Sequence, residues 1–184
     1  YLRDDRLNVT SLNPAGSLTA AGAPERNAVK SEVKKFVLPN GLRLLVREDP
    51  RLPLVSIYAG FRGGLLAENL ENNGITRLLS RTLLKGTKNR TAVQIAEQIE
   101  SAGGRIGSDN GNNSFSVSVE VMKPDLALGL EVLADVLENP TFPEKEIELE
   151  KAAQIAAIKA EDEQITSVAR NVLREKLFDN HPYA

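Results

Sequence analysis

At 184 residues, 41% of them hydrophobic, the chain can build one ordinary domain with a buried core and has length to spare. Its 23 Lys and Arg against 25 Asp and Glu leave a net charge of −2, too balanced for a nucleic-acid footprint or a polybasic membrane patch. The absence of cysteine excludes disulfides, thiolate nucleophiles and cysteine-based metal sites, and leaves the redox compartment open.

The N-terminal Tyr1-Leu2-Arg3-Asp4-Asp5-Arg6 lacks the apolar middle of a signal peptide. No apolar run reaches the roughly 18 residues that a membrane span needs, so no membrane insertion is expected. A first residue that is Tyr and not Met points to a piece of something longer. Residues 11 to 32, rich in Ser, Ala, Gly, Pro and Asn without helical or alternating periodicity, read as a linker.

Ordered structure is expected from Val33. Phe36 and Leu38, then Asn40-Gly41, then Leu42, Leu44 and Val46 spell two short strands around a turn dipeptide. Pro53 to Phe61 continues as a third strand with both faces at least half buried. Ile75, Leu78, Leu79 and Leu83 form the stripe of a packed helix that ends near Gly86. Thr91 caps a second helix to Ala102, closed by Gly103-Gly104. Two strands follow, Arg105 to Ser108 and Ser114 to Val121, the latter alternating Phe115, Val117, Val119 and Val121 with Ser116, Ser118 and Glu120. Asp125 caps a helix through Leu137, and Pro143 opens a long helical stretch to Phe178 with a break near Asp162 to Gln164. The order predicts an α+β fold: a two-layer sandwich of a mostly antiparallel sheet with helices packed on one face.

Catalytic constellations are sparse. The single histidine, His181, sits beside Pro182 at the chain's end and reads as a surface histidine, since a site needs several groups together. One histidine and no cysteine build neither a Ser-His-Asp nor a Cys-His set. Gly63-Gly64 and Gly103-Gly104 lack phosphate-loop spacing and read as turns.

The informative segment is Gly74-Ile75-Thr76-Arg77-Leu78-Leu79-Ser80-Arg81-Thr82-Leu83-Leu84-Lys85-Gly86-Thr87. It resembles the zinc-binding helix of the pitrilysin-type (M16) metallopeptidases, in which a glycine opens a helix carrying H-x-x-E-H and Lys-Gly-Thr closes it. There two histidines four apart share one helix face and bind zinc, and the glutamate polarises the attacking water. The resemblance puts Arg77, Ser80 and Arg81 on those three positions. The family's third ligand, a glutamate about 75 residues beyond the second histidine, falls on Ala157 within Glu150-Lys151-Ala152-Ala153-Gln154-Ile155-Ala156-Ala157-Ile158-Lys159. The resemblance therefore implies no catalytic residue and no zinc in this domain, with zinc expected only in an active partner domain. Glu150, two helical turns before Ala157, matches a carboxylate that the family often keeps near its metal. Arg77 and Arg81, like charges four apart that cost about 0.2–0.5 kcal/mol, are expected to be offset by Glu150; the plain alternative is a pair of solvated helix charges.

The likeness extends through Val37-Leu38-Pro39-Asn40-Gly41-Leu42, Ala59-Gly60-Phe61-Arg62-Gly63-Gly64, Ile99-Glu100-Ser101-Ala102-Gly103-Gly104, the stretch from Leu133 to Phe142, and His181-Pro182-Tyr183. It implies that residues 33–184 are the N-terminal part of an M16 peptidase-like domain, and that residues 1–32 are the end of a preceding domain plus its linker. The implied role is a noncatalytic half that forms chamber wall and peptide-binding surface for an active M16 domain in cis or in trans. Peptide would be held by strand addition, with Ser108, Ser114 and Ser116 as candidate edge residues; an ordinary loop turning at Asp109 to Asn113 is the alternative. A structural module resembling the core proteins of respiratory complex III is the second reading, and an enzyme using other ligands the third. Family domains continue past His-Pro-Tyr, so an exposed edge or apolar face, covered by self-association, is expected.

Overall fold

The computed structural model describes residues 32–179 and 181–184. The expected end of a preceding domain and all but the last residue of its linker lie outside them. The chain divides into two compact units, Tyr1–Arg51 and Leu52–Ala184.

The described part of the first unit is a hairpin. β1 (Val33–Val37) pairs antiparallel with β2 (Arg43–Arg47), in register from Val33 opposite Arg47 to Val37 opposite Arg43. Asn40-Gly41 turns the chain as its sequence predicts. Gly41 takes the left-handed region at φ +84, where a side chain would be strained, and Asn40 Oδ1 accepts the Leu42 N–H at 3.1 Å.

The second unit contains β3 (Leu54–Arg62), α1 (Ile75–Thr82), α2 (Ala92–Ser101), β4 (Arg105–Asn110), β5 (Ser114–Met122), α3 (Leu126–Glu138), α4 (Glu144–Asp162) and α5 (Ile165–Phe178). Its sheet is antiparallel in the order β3-β5-β4. β5 is central, and its alternation sorts its faces: Phe115, Val117, Val119 and Val121 are buried, while Ser118 on the opposite face is exposed. Against the apolar face pack Ile95 and Ile99 of α2 and Val132, Leu133 and Val136 of α3. Gly129 lets α3 approach closely, since a Cβ there would lie 3.0 Å from a Val121 methyl. The helices cover one face of the sheet, the expected two-layer α+β arrangement.

Local signals place most of the elements. Thr91 and Gln94 form a reciprocal capping box at the start of α2, Thr91 Oγ1 accepting from Gln94 N–H at 3.2 Å and Gln94 Oε1 from Thr91 N–H at 2.9 Å. The break after Asp162 is present, with α5 resuming at Ile165.

Two expectations are corrected. β3 is not half buried on both faces: Val55, Ile57 and Ala59 are partly covered, but Tyr58 on the other face is 67% exposed, because β3 is an edge strand of a sheet whose helices lie on one side. Asp125 makes no side-chain cap; it ends a 3₁₀ turn, Lys123–Asp125, that runs into α3. The first helical stretch ends near Gly86 as expected, with α1 tightening after Thr82 into a 3₁₀ turn, Leu83–Lys85.

Apolar surface remains uncovered on α5, where Ile165, Val172, Leu173 and Leu177 are exposed. Among the described residues no helix is long and apolar enough to cross a membrane.

Candidate functional site

The segment singled out by sequence is α1, and three neighbours position it. Gly74, at φ +91, opens the helix. Glu68 supplies the acceptors that the helix start lacks, Oε2 taking the Gly74 N–H at 2.7 Å and Oε1 the Thr76 N–H at 2.9 Å. Burial pushes the Glu68 carboxyl up, and the hydrogen bonds from Gly74 and Thr76 outweigh it, so its pKa falls below the ordinary glutamate value.

β4 holds the middle of the helix. Ser80 is buried; its Oγ lies 2.8 Å from Arg77 O and 3.0 Å from Asn110 Oδ1, and the Ser108 hydroxyl donates to Ser80 O. Beyond the helix, Lys85-Gly86-Thr87 leads into a polar latch. Asp135 on α3, 5% exposed, accepts from Thr87 Oγ1 at 2.6 Å, Asn89 Nδ2 at 2.6 Å, Arg90 Nη1 at 2.8 Å and Asn139 Nδ2 at 3.1 Å.

On the remaining side α4 runs antiparallel to α1. Gln154 Nε2 donates to Gly74 O at 3.2 Å at one end. At the other, Glu150 lies 3.6 Å from Arg81 Nη1 and 3.2 Å from Lys85 Nζ, and Glu146 is 3.6 Å from the same lysine. Ala157 is half buried one turn beyond Gln154, on the stripe that carries Glu150.

The expectation that Glu150 offsets both arginines is half met. Arg81 reaches it; Arg77 does not. Because the helices are antiparallel, Glu150 stands level with the last turn of α1, whereas the first turn, where Arg77 sits, faces the neutral amide of Gln154. Arg77 is half buried and carries no ion pair among the described residues. Glu150's second cation is instead Lys85, which sequence reasoning missed although it lies four residues beyond Arg81 on the same face. Among the described residues no three His, Cys, Asp or Glu side chains gather to hold a metal ion.

The candidate peptide-binding serines separate. Ser114 and Ser116 lie on β5, paired with Arg62 and Gly60 of β3, and Ser116 also faces Asp109 of β4. The middle strand of a sheet has no free backbone to offer, so these two are not edge residues. Ser108 is on β4, an outer strand, but its hydroxyl is spent on α1. Only the β4 backbone of that hairpin is placed for strand addition. The loop alternative is corrected too: Asp109 and Asn110 belong to the strand, and the turn is Gly111 to Asn113.

The family model described as insulinase (peptidase family M16) matches residues 43–184. The chain belongs to peptidase family M16. It is 30% identical over 173 residues to the mitochondrial-processing peptidase subunit beta of Blastocladiella emersonii, covering 94% of this chain and 37% of that one. It is 27% identical over 149 residues to an uncharacterized zinc protease of Bacillus subtilis, covering 81% and 36%. Subunit 1 of the cytochrome b-c1 complex of Bos taurus is 26% identical over 153 residues, covering 83% and 32%. The chain thus spans about a third of the length of these relatives. Among solved structures, the fold matches a peptidase M16 inactive domain from Pseudomonas fluorescens with TM-score 0.78 at 22% identity, covering 83% of this chain and 37% of that one.

Proposed function

We propose that the chain is a noncatalytic part of an M16 peptidase, forming chamber wall and a peptide-holding edge beside an active, zinc-bearing half. What carries this reading is the set of side chains that the resemblance assigns to the family's metal positions: guanidiniums at Arg77 and Arg81, a hydroxyl at Ser80 and a methyl at Ala157. A zinc site needs three neutral or anionic protein ligands around the ion. Here the nearby carboxylate, Glu150, is already engaged by Arg81 and Lys85, and two fixed positive charges repel a dication. The residues present do not fit zinc, and no catalytic step is derived through it.

What the domain retains is a way to hold extended peptide. β4 pairs on one side only, with β5, and a strand edge of this kind takes a peptide through main-chain hydrogen bonds. Self-association through the exposed apolar side chains of α5 belongs to the same proposal. The likeness to a cytochrome b-c1 complex subunit favours a second reading, an assembly module without a peptide-holding task.

Zinc loading, dialysis and elemental assay, combined with peptide cleavage and fluorescence anisotropy on an extended labelled peptide, test the first reading. Expected are no retained zinc, no cleavage, and peptide binding that weakens when alternate peptide nitrogens are methylated. Tightly held zinc or chelator-sensitive cleavage overturns the noncatalytic assignment. Failure to bind any extended peptide leaves the assembly module.

A further inference from the structure

A cavity of about 250 Å³ opens between the first turn of α1, the middle of α4 and the turn joining β4 to β5. Leu65 and Ile158 give it apolar sides, and Arg77, Asn110, Asn112 and Gln154 bring polar groups to it. It carries one charge of each sign, Arg77 and Glu68. Glu68, the carboxylate that borders it, has given both oxygens to the start of α1. The Arg77 guanidinium, half buried, has neither an ion pair nor a hydrogen bond among the described residues, while Arg81 and Lys85 share Glu150 one and two turns further on.

Folding does not account for that arginine. A cation in the first turn of a helix stands at the positive end of the macrodipole, where it lowers helix stability. The Arg77 N–H groups have no acceptor among the described residues, and Gln154 Oε1 is a buried acceptor with no donor. Asn110 Oδ1 lies 3.0 Å from the Ser80 hydroxyl, whose single hydrogen is also within reach of Arg77 O at 2.8 Å, and the Asn110 amide NH₂ has no partner among the described residues. Asn110 is, moreover, the last residue of β4, so a peptide laid along that edge arrives beside the cavity.

We propose that this cavity is a carboxylate pocket, taking an acidic side chain or the C-terminal carboxylate of a peptide held along β4, with Arg77 as its countercharge. The inference rests on the reading of the domain as a peptide-holding wall. Where the family's active domains present a metal cation, this chain presents a guanidinium, which attracts a carboxylate through bidentate hydrogen bonds but activates no water.

The test uses the full chain and one extended apolar peptide in three labelled forms: neutral with an amidated C-terminus, amidated with a glutamate scanned along it, and neutral with a free C-terminus. Anisotropy at low salt should show at least one carboxylate form binding about tenfold more tightly than the neutral form, the effect of one charge-assisted hydrogen bond at a half-buried site. The second and third forms tell the two carboxylate sources apart. Arg77→Gln should abolish that preference while leaving neutral-peptide binding in place. Asn112→Asp, in an exposed turn where the fold tolerates a charge, should do the same and decides the matter if Arg77→Gln does not fold. Equal binding of all three forms, or a preference that survives both substitutions, overturns the pocket and leaves the peptide-holding wall standing. Absence of binding by every form overturns both.

Discussion

The Arg81 guanidinium lies 3.6 Å from the Glu150 carboxylate across the α1–α4 pair, and the two differ in exposure, 51% for the arginine side chain against 18% for the glutamate. Solvent screens the arginine, and an exposed pair contributes about 0.2–1 kcal/mol. Glu150 also serves Lys85 at 3.2 Å, so removing its charge strands two cations. Glu150→Gln is expected to cost about 1–2 kcal/mol and Arg81→Gln under about 0.5 kcal/mol, with a coupling between them below about 1 kcal/mol. Urea unfolding of the two single variants and the double variant at low and high salt measures this. A larger coupling that ignores salt would mean that the pair is dry.

Restoring the family's ligand set should restore metal. Arg77→His, Ser80→Glu, Arg81→His and Ala157→Glu together put two imidazoles four residues apart on α1 and a carboxylate on the neighbouring α4. Ser80 is buried against Asn110 and Ser108, so the apo variant should melt below the parent chain. Added zinc should then raise its melting temperature and bind at about one ion per chain. If the variant folds and takes no zinc, Ala157 is not the third-ligand position.

The elements that sequence placed well are those specified by neighbours in the chain. Val117, Val119 and Val121 announce a one-faced strand by alternation, and Thr91 with Gln94 announces the start of α2 across three residues. The site positions came from resemblance, because nothing in periodicity marks Arg77 or Ala157. What stayed hidden depends on distant partners. That β5 is central and β4 an edge follows from β3 pairing across most of the unit, which no local pattern encodes. Arg77 lost its expected carboxylate because the level at which α4 passes α1 is a tertiary fact. The Asp135 latch joins side chains 45 to 48 residues apart, beyond the reach of any motif.

That latch makes stability sensitive to acid. Burial pushes the Asp135 carboxyl up, and hydrogen bonds from Thr87, Arg90, Asn89 and Asn139 overcome it, leaving its pKa lowered to about 2. A carboxylate depressed on folding adds stability that is fully present above its unfolded pKa of about 3.9 and disappears as pH falls through its folded value. The window is therefore about pH 4 down to 2. Thermal unfolding across it should show the parent chain losing stability more steeply than Asp135→Asn, whose side chain does not titrate. At neutral pH the substitution should cost about 3 kcal/mol, since Arg90, with 13% of its side chain exposed, keeps among the described residues only the exposed Glu131 as its countercharge. Parallel pH profiles would place the acid sensitivity elsewhere.

Gly64 offers the sharpest test of how the proposed pocket is built. Its φ is +71, and a Cβ at this position would lie 2.0 Å from Gly111 O and 2.6 Å from Asn112 O, backbone atoms with no rotamer to change. The same junction is held by Gly63 N–H to Asn113 O at 3.2 Å and Leu66 N–H to Asn112 O at 3.3 Å. An alanine must therefore lever the 63–66 segment off the β4–β5 turn, opening the wall that Leu65 and Asn112 give the cavity. Gly64→Ala is expected to cost about 3 kcal/mol through strained backbone and steric overlap. Gly63→Ala is the control, because its backbone is extended and its added methyl would meet Phe115 Cβ at 3.4 Å, an ordinary contact; it should cost under about 1 kcal/mol. Urea unfolding compares the two, and amide exchange at Leu66 reports whether the loss is local. A Gly64→Ala chain as stable as the parent would mean that the turn is not packed against this segment, and the pocket would lose one of its walls.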